Sequence, residues 1–219
     1  MVETRTLSAT TVGRYLVEPA SHPVSEGTAP LLVGFHGYGQ NAEILMEDLR
    51  RIPGADGWTL VSVQALHRFY NTKTHEVIGS WMTSLDRDQA IEDNLTYVRS
   101  VVAELRADSV YGKLAFVGFS QGAAMAWRAG AGCGPCEGLM VLGGDLPKDV
   151  AEAADLDLPL VLLARGEADL FYTSAQFHKD LAVLEARGVQ TEALRFKGGH
   201  EWGQAFQEAA GRFLKRVLA

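Results

Sequence analysis

Seven short β-rich runs, several of them apolar along nearly their whole length, constrain this chain more than any other feature. They are residues 13–19 (GRYLVEP), 30–37 (PLLVGFHG), 58–65 (WTLVSVQA), 113–119 (KLAFVGF), 138–144 (GLMVLGG), 159–166 (PLVLLARG) and 191–198 (TEALRFKG). A strand with one wet face alternates polar and apolar residues. A run with almost no alternation predicts a strand covered on both faces, as in a parallel sheet. Between these runs lie stretches with helical spacing. In 86–106, Ile91, Leu95, Val98, Val102 and Leu105 recur every three or four residues, with Asp, Glu and Arg opposite. Thr173 and Gln176 have the spacing of a capping box that opens a helix to about residue 187, where Gly188 stops it. The last helix aligns Trp202, Phe206, Ala210, Phe213 and Val217. This alternation predicts an α/β fold, a three-layer sandwich with a mostly parallel sheet of about seven strands flanked by helices.

A length of 219 residues fits one domain over 1–219, and no stretch reads as a linker, repeat or low-complexity tract. Residues 21–30 read as a loop between the first two strands. Residues 66–85 read as a long irregular stretch, of the kind that carries function, and its Phe69, Tyr70 and Trp81 are expected to wall a substrate pocket. With 47% hydrophobic and 21% charged residues the composition is globular and excludes a disordered chain. A net charge of −7 with no basic stripe excludes nucleic acid as a partner. No apolar run reaches the roughly 18–20 residues that span a bilayer, so stable membrane insertion is not expected. The N-terminus lacks the basic-then-apolar pattern of an export signal, and two cysteines are too few to staple a domain of this size; both point to a cytoplasmic location. Oligomeric state is not legible, and a homodimer stays open.

The chemistry starts from residues 115–126, AFVGFSQGAAMA, where one hydroxyl interrupts an apolar run between two glycines. A Gly-x-Ser-x-Gly string between a strand and a helix is the context of a nucleophile elbow, with Ser120 raised on a strained turn. Gly118 and Gly122 are expected where the helix presses on neighbouring strands. A serine nucleophile needs a base, and the base needs an orienting acid; on such a sheet they follow in the order Ser, Asp/Glu, His. Asp169 follows the run 159–166 and His200 follows 191–198, both at strand ends where open parallel sheets gather their chemistry. Asp145, in GGDLP, and Glu167 are the rival acids. The oxyanion would be met by the backbone N–H of Gln121 at the head of the helix and by an amide of Tyr38 or Gly39 in FHGYGQN, residues 35–41. His36 in that loop reads as a buried, loop-shaping residue rather than the base.

These pieces resemble the phospholipase/carboxylesterase family of α/β-hydrolases, which includes the acyl-protein thioesterases. The likeness lies in LLVGFHGYGQNAE, GFSQGAAMA, GDLP, RGEADLFY and KGGHEW, spread from about residue 30 to the C-terminus. It implies an α/β-hydrolase fold and a carboxylesterase, lysophospholipase or thioesterase activity without a cofactor. It also implies Ser120 as nucleophile, Asp169 as acid, His200 as base, and the amides of Tyr38 and Gln121 as oxyanion donors. Family members often carry His-Gly where this chain has Arg165-Gly166, and Pro- and Val-rich residues where it has Leu170, Phe171 and Tyr172. Those three residues are expected to line the pocket with Phe69, Tyr70 and Trp81, and the expected partner is a small-molecule ester or thioester.

Two other readings stay in view. One is a catalytically silent scaffold that binds an apolar ligand. The other is a dithiol redox protein using Cys133 and Cys136, in GCGPCEG. A reactive dithiol needs its first cysteine at a helix head after a strand, whereas this pair follows a helix and precedes a strand. Neither the Cys pair nor the His-Glu pairs at 75–76 and 200–201 have the partners of a zinc site, so no metal is expected.

Overall fold

The computed structural model describes residues 1–22, 29–108 and 112–219. In chain order the elements are β1 (Arg14–Glu18), β2 (Leu31–Phe35), α1 (Ala42–Arg50), β3 (Thr59–Gln64), β4 (His67–Tyr70), β5 (Val77–Ser80), α2 (Arg87–Asp108), β6 (Leu114–Phe119), α3 (Gln121–Gly132), β7 (Gly138–Leu142), α4 (Lys148–Ala151), β8 (Leu160–Gly166), α5 (Ser174–Ala186), β9 (Thr191–Phe196) and α6 (Gln204–Leu218). Each of the seven runs contains one strand of a seven-stranded sheet, in the order β1-β3-β2-β6-β7-β8-β9. β1 lies antiparallel to β3, and every other neighbouring pair is parallel.

Alternate residues of the strands face opposite helix layers. Leu31, Val33, Phe35, Leu114 and Phe116 pack towards α2, α3 and α5, against Val98, Val102, Met125, Trp127 and Phe177. Leu32, Ala115, Val117 and Met140 face the other way, onto Leu45 and Leu49 of α1 and Phe206, Phe213 and Val217 of α6. Both faces of the inner strands β2, β3, β6, β7 and β8 are therefore dry, which is why they show so little alternation, whereas the edge strands β1 and β9 are part-exposed. The capping box of α5 forms as expected: the Gln176 N–H donates to Thr173 Oγ1 and the Thr173 N–H to Gln176 Oε1. Gly188, at φ +70°, follows the end of that helix.

The stretch 66–85 is not irregular. β4 and β5 pair as an antiparallel hairpin, with Asn71 Oδ1 accepting from the N–H groups of Lys73 and Thr74 to close its turn. The hairpin stands outside the main sheet and braces the loop after β2: Gly39 N–H donates to Gly79 O and Gly79 N–H to Gln40 O, at 2.9 and 2.8 Å. Most of the 21–30 segment lies outside the described residues.

His36 ties the same loop from below and is fully buried. Its Nε2 accepts from the Ala65 N–H at 3.1 Å, so Nδ1 carries the proton and donates to Gly37 O at 2.8 Å. The Trp81 indole N–H donates to the His36 carbonyl at 2.8 Å. Burial pushes the imidazole down from 6.5 to about 4, since a charged ring there would lose its water. α3 packs close to this loop because Gly122 has no side chain: a Cβ there would stand 2.1 Å from Phe35 O and 2.5 Å from His36 O.

Two outcomes follow. Above pH 6.5 His36 is neutral in both folded and unfolded chains; as pH falls from 6.5 to 4 the unfolded chain takes up a proton that the folded one refuses. Its contribution to stability, about 3 kcal/mol, is present above pH 6.5 and lost by about pH 4. Urea unfolding at a series of pH values should therefore show a steeper acid decline for wild type than for His36→Gln across this window. Gly122→Ala should lower unfolding free energy by about 3 kcal/mol or more in the same assay, because the atoms in its way are backbone.

Candidate active site

Three strand ends on one edge of the sheet supply the site. β6 ends at Phe119, and Ser120 turns the chain into α3 at φ +55° and ψ −119°, a conformation that a residue with a side chain rarely adopts. Its N–H donates to Leu142 O at 2.9 Å, which anchors the turn to the end of β7. A Cβ at Gly118 would lie 2.2 Å from Gly122 O, so both glycines of the motif serve the close approach that the sequence suggests.

The structure brings Ser120, His200 and Asp169 into one line. Ser120 Oγ lies 2.7 Å from His200 Nε2, and His200 Nδ1 lies 2.8 Å from Asp169 Oδ2. The Asp169 side chain is almost fully buried, at 1% exposed, while that of His200 keeps 19%. The second carboxylate oxygen, Oδ1, accepts from the N–H groups of Phe171 and Tyr172 at 2.8 and 2.9 Å, so both oxygens are satisfied. Asp145 and Glu167 are exposed and neither hydrogen-bonds to His200. The rings of Phe119 and Phe171 both pack on the imidazole, each centroid 4.9 Å from it. Gly143, at φ +65°, makes room for it: a Cβ there would stand 3.1 Å from the ring.

Tyr38 lies in the loop after β2, and Gln121 follows the serine directly. Gln121 opens α3, so its N–H has no carbonyl one turn back to bond. Its side chain has a job that the sequence did not suggest. Oε1 accepts from the Trp81 N–H at 2.8 Å and from Ser80 Oγ at 3.2 Å, and Nε2 donates to Met82 O at 2.7 Å. This clamp binds the segment after β5 to the head of α3.

A cleft of about 230 Å³ opens over the serine, lined by Met82, Arg87, Gln121, Ala124, Asp145, Phe171 and Tyr172 together with Ser120 and His200. Of the six expected pocket residues, Phe171 and Tyr172 are in its wall. Trp81 is not: its ring is fully buried against Phe35 and His36, because its N–H and its bulk are both used in the core. Phe69 and Tyr70 lie on the outward hairpin, where Phe69 meets Tyr38 at 5.8 Å, and Leu170 points to solvent; none of the three lines the cleft. Met82, Arg87 and Ala124 do, although nothing in their sequence context marks them. Met82 and Ala124 are steadied by Arg128, which holds Asp149 through Nε and Nη2 at 2.7 and 2.8 Å and directs Nη1 to the Ala124 carbonyl.

Cys133 and Cys136 are free thiols beyond the C-terminal end of α3, away from this edge. Burial pushes them up to about 11 and 12, the opposite of what a reactive dithiol requires. Among the described residues no helix is long and apolar enough to cross a membrane.

No protein-family model matches the sequence, and no curated protein does. Solved structures do match. Esterase PE8 is 24% identical with a TM-score of 0.74, over 94% of this chain and 98% of that one. The Bacillus cereus carboxylesterase is 15% identical with a TM-score of 0.73, over 94% of each chain. Zea mays acyl-protein thioesterase 2 is 19% identical with a TM-score of 0.72, over 95% of this chain and 100% of that one. Likeness at these identities is likeness of architecture: the chain has the α/β-hydrolase fold.

Proposed function

We propose that this protein is a serine hydrolase that cleaves carboxylic esters or thioesters of small to medium acyl groups through an acyl-enzyme on Ser120. The observation that carries the reading is the line Ser120–His200–Asp169, with links of 2.7 and 2.8 Å on a serine held in a strained turn. The similar structures include esterases and a thioesterase, which supports the same reaction class. So does the resemblance of the motifs to the phospholipase/carboxylesterase family. A cleft of about 230 Å³ favours small substrates.

In this mechanism His200 Nε2 takes the Ser120 proton as Oγ attacks the carbonyl carbon, and the carbonyl electron pair moves onto oxygen. The N–H groups of Gln121 and Tyr38 stabilise that oxyanion. Asp169 keeps the Nδ1 proton in place and stabilises the imidazolium while it lasts. As the tetrahedral centre collapses, the imidazolium gives its proton to the departing alkoxide or thiolate. Water, deprotonated by the same imidazole, then attacks the acyl-serine, and as the bond to Oγ breaks the imidazolium returns the proton to Ser120 and the acid is released.

A panel of p-nitrophenyl esters and acyl-thioesters of graded chain length tests this reading. Ser120→Ala should lower kcat on the order of 10⁶-fold, about 8 kcal/mol of barrier, and abolish labelling by a fluorophosphonate probe. Asp169→Asn should cost about 10⁴-fold, whereas Asp145→Asn should leave turnover within a few-fold of wild type. Tyr38→Phe should also change little, because the donor is its backbone. Undiminished hydrolysis by Ser120→Ala would overturn the reading.

A further inference from the structure

Two buried charges, Arg165 and Asp180, flank the acid loop without entering the reaction proposed above. Arg165 sits near the end of β8 and is only 4% exposed. Its Nε–H donates to Tyr172 O at 3.0 Å, and Nη2 donates to Asp169 O at 3.2 Å and, at the limit of bonding, to Glu167 O at 3.4 Å. All three acceptors belong to residues 167–172, the loop that carries Asp169. Among the described residues no carboxylate pairs with this guanidinium. A cation taken out of water without a counter-ion is costly, and an apolar side chain of similar volume would fill the space without that cost.

A carboxyl, Asp180 of α5, meets the same loop at Tyr172. The Tyr172 phenol donates to Asp180 Oδ2 at 2.8 Å, and the same oxygen accepts from the Leu146 N–H at 2.9 Å. Burial pushes both the Asp180 carboxyl and the Tyr172 phenol upwards, and the nearby charge of Asp145 adds to both. Tyr172 thus lies between a buried cation at its carbonyl and a buried carboxyl at its hydroxyl. Its N–H, held from both ends, donates to Asp169 Oδ1.

We infer that Arg165 is a positioning residue of this centre: it straps the loop 167–172 through its carbonyls, aims the Asp169 carboxylate at His200, and sets a positive charge against the acid's main chain. The inference rests on the reading of Ser120, His200 and Asp169 as the reacting groups. A role confined to folding would lower the folded fraction without changing the rate per folded molecule.

The experiment compares wild type, Arg165→Met, Arg165→Lys and Ser120→Ala with a p-nitrophenyl ester, alongside thermal melts. Arg165→Met should lower kcat about 10- to 100-fold with KM unchanged, as misplacement of a reacting group does. Arg165→Lys, which keeps the charge and part of the strap, should recover most of kcat. Where the methionine variant fails to fold, Arg165→Gln, neutral but still able to donate, is judged by the same split between kcat and KM. A neutral variant with wild-type kcat, or one whose loss of rate is matched by its loss of folded fraction, overturns the inference. Full activity in Ser120→Ala instead overturns the reading beneath it, so the two failures are distinguishable.

Discussion

Everything at the proposed centre depends on how closely α3 can approach β2. The head of that helix lies against the Phe35 and His36 carbonyls with no side chain between, and the turn before it survives only because Gly118 leaves space for the Gly122 carbonyl. That approach forces Ser120 into the left-handed region and leaves the first amide of the helix without a carbonyl to bond. The strain at one residue is held by packing over many: the buried residues of α3, from Ala123 to Ala129, are locked between the sheet and α2. Pre-organisation here means that a favourable core maintains an unfavourable backbone angle.

The loop facing the serine is held differently, by hydrogen bonds rather than by packing. His36 bonds forward to Gly37 and across to Ala65, the β4–β5 hairpin exchanges two backbone bonds with Gly39 and Gln40, and Gln121 grips residues 80–82. A neutral imidazole suits this place, since it must both donate and accept. The two walls of the cleft are thereby joined to each other and not only to the sheet.

Much of this was legible in the sequence, for reasons that particular residues make clear. The five inner strands announced themselves because both their faces are dry. Ser120, Asp169 and His200 stood out because each follows a strand at the end where parallel sheets collect chemistry. The hairpin was hidden because β4, His67–Tyr70, is exposed throughout and carries no burial pattern to read. Trp81 was misread because an aromatic beside a charged loop looks the same in sequence whether its ring turns inwards or outwards. Arg165 gave only a faint signal, one charge near the end of an apolar run, and the roles of Met82 and Arg87 in the cleft come from tertiary proximity that no spacing encodes.

β7 carries none of the three groups, yet it separates the strand that leads to the serine from the strand that leads to the acid. Its end bonds to both neighbours: Leu142 O takes the Ser120 N–H, and the Gly143 N–H goes to Ala164 O. A Cβ at Gly144 would meet Ser120 O at 2.6 Å, just as one at Gly143 would crowd the imidazole. This strand works as a spacer of fixed width, setting the gap that the imidazole must fill. Substitutions in the cleft walls leave that gap intact, whereas a side chain at Gly143 or Gly144 would change its width.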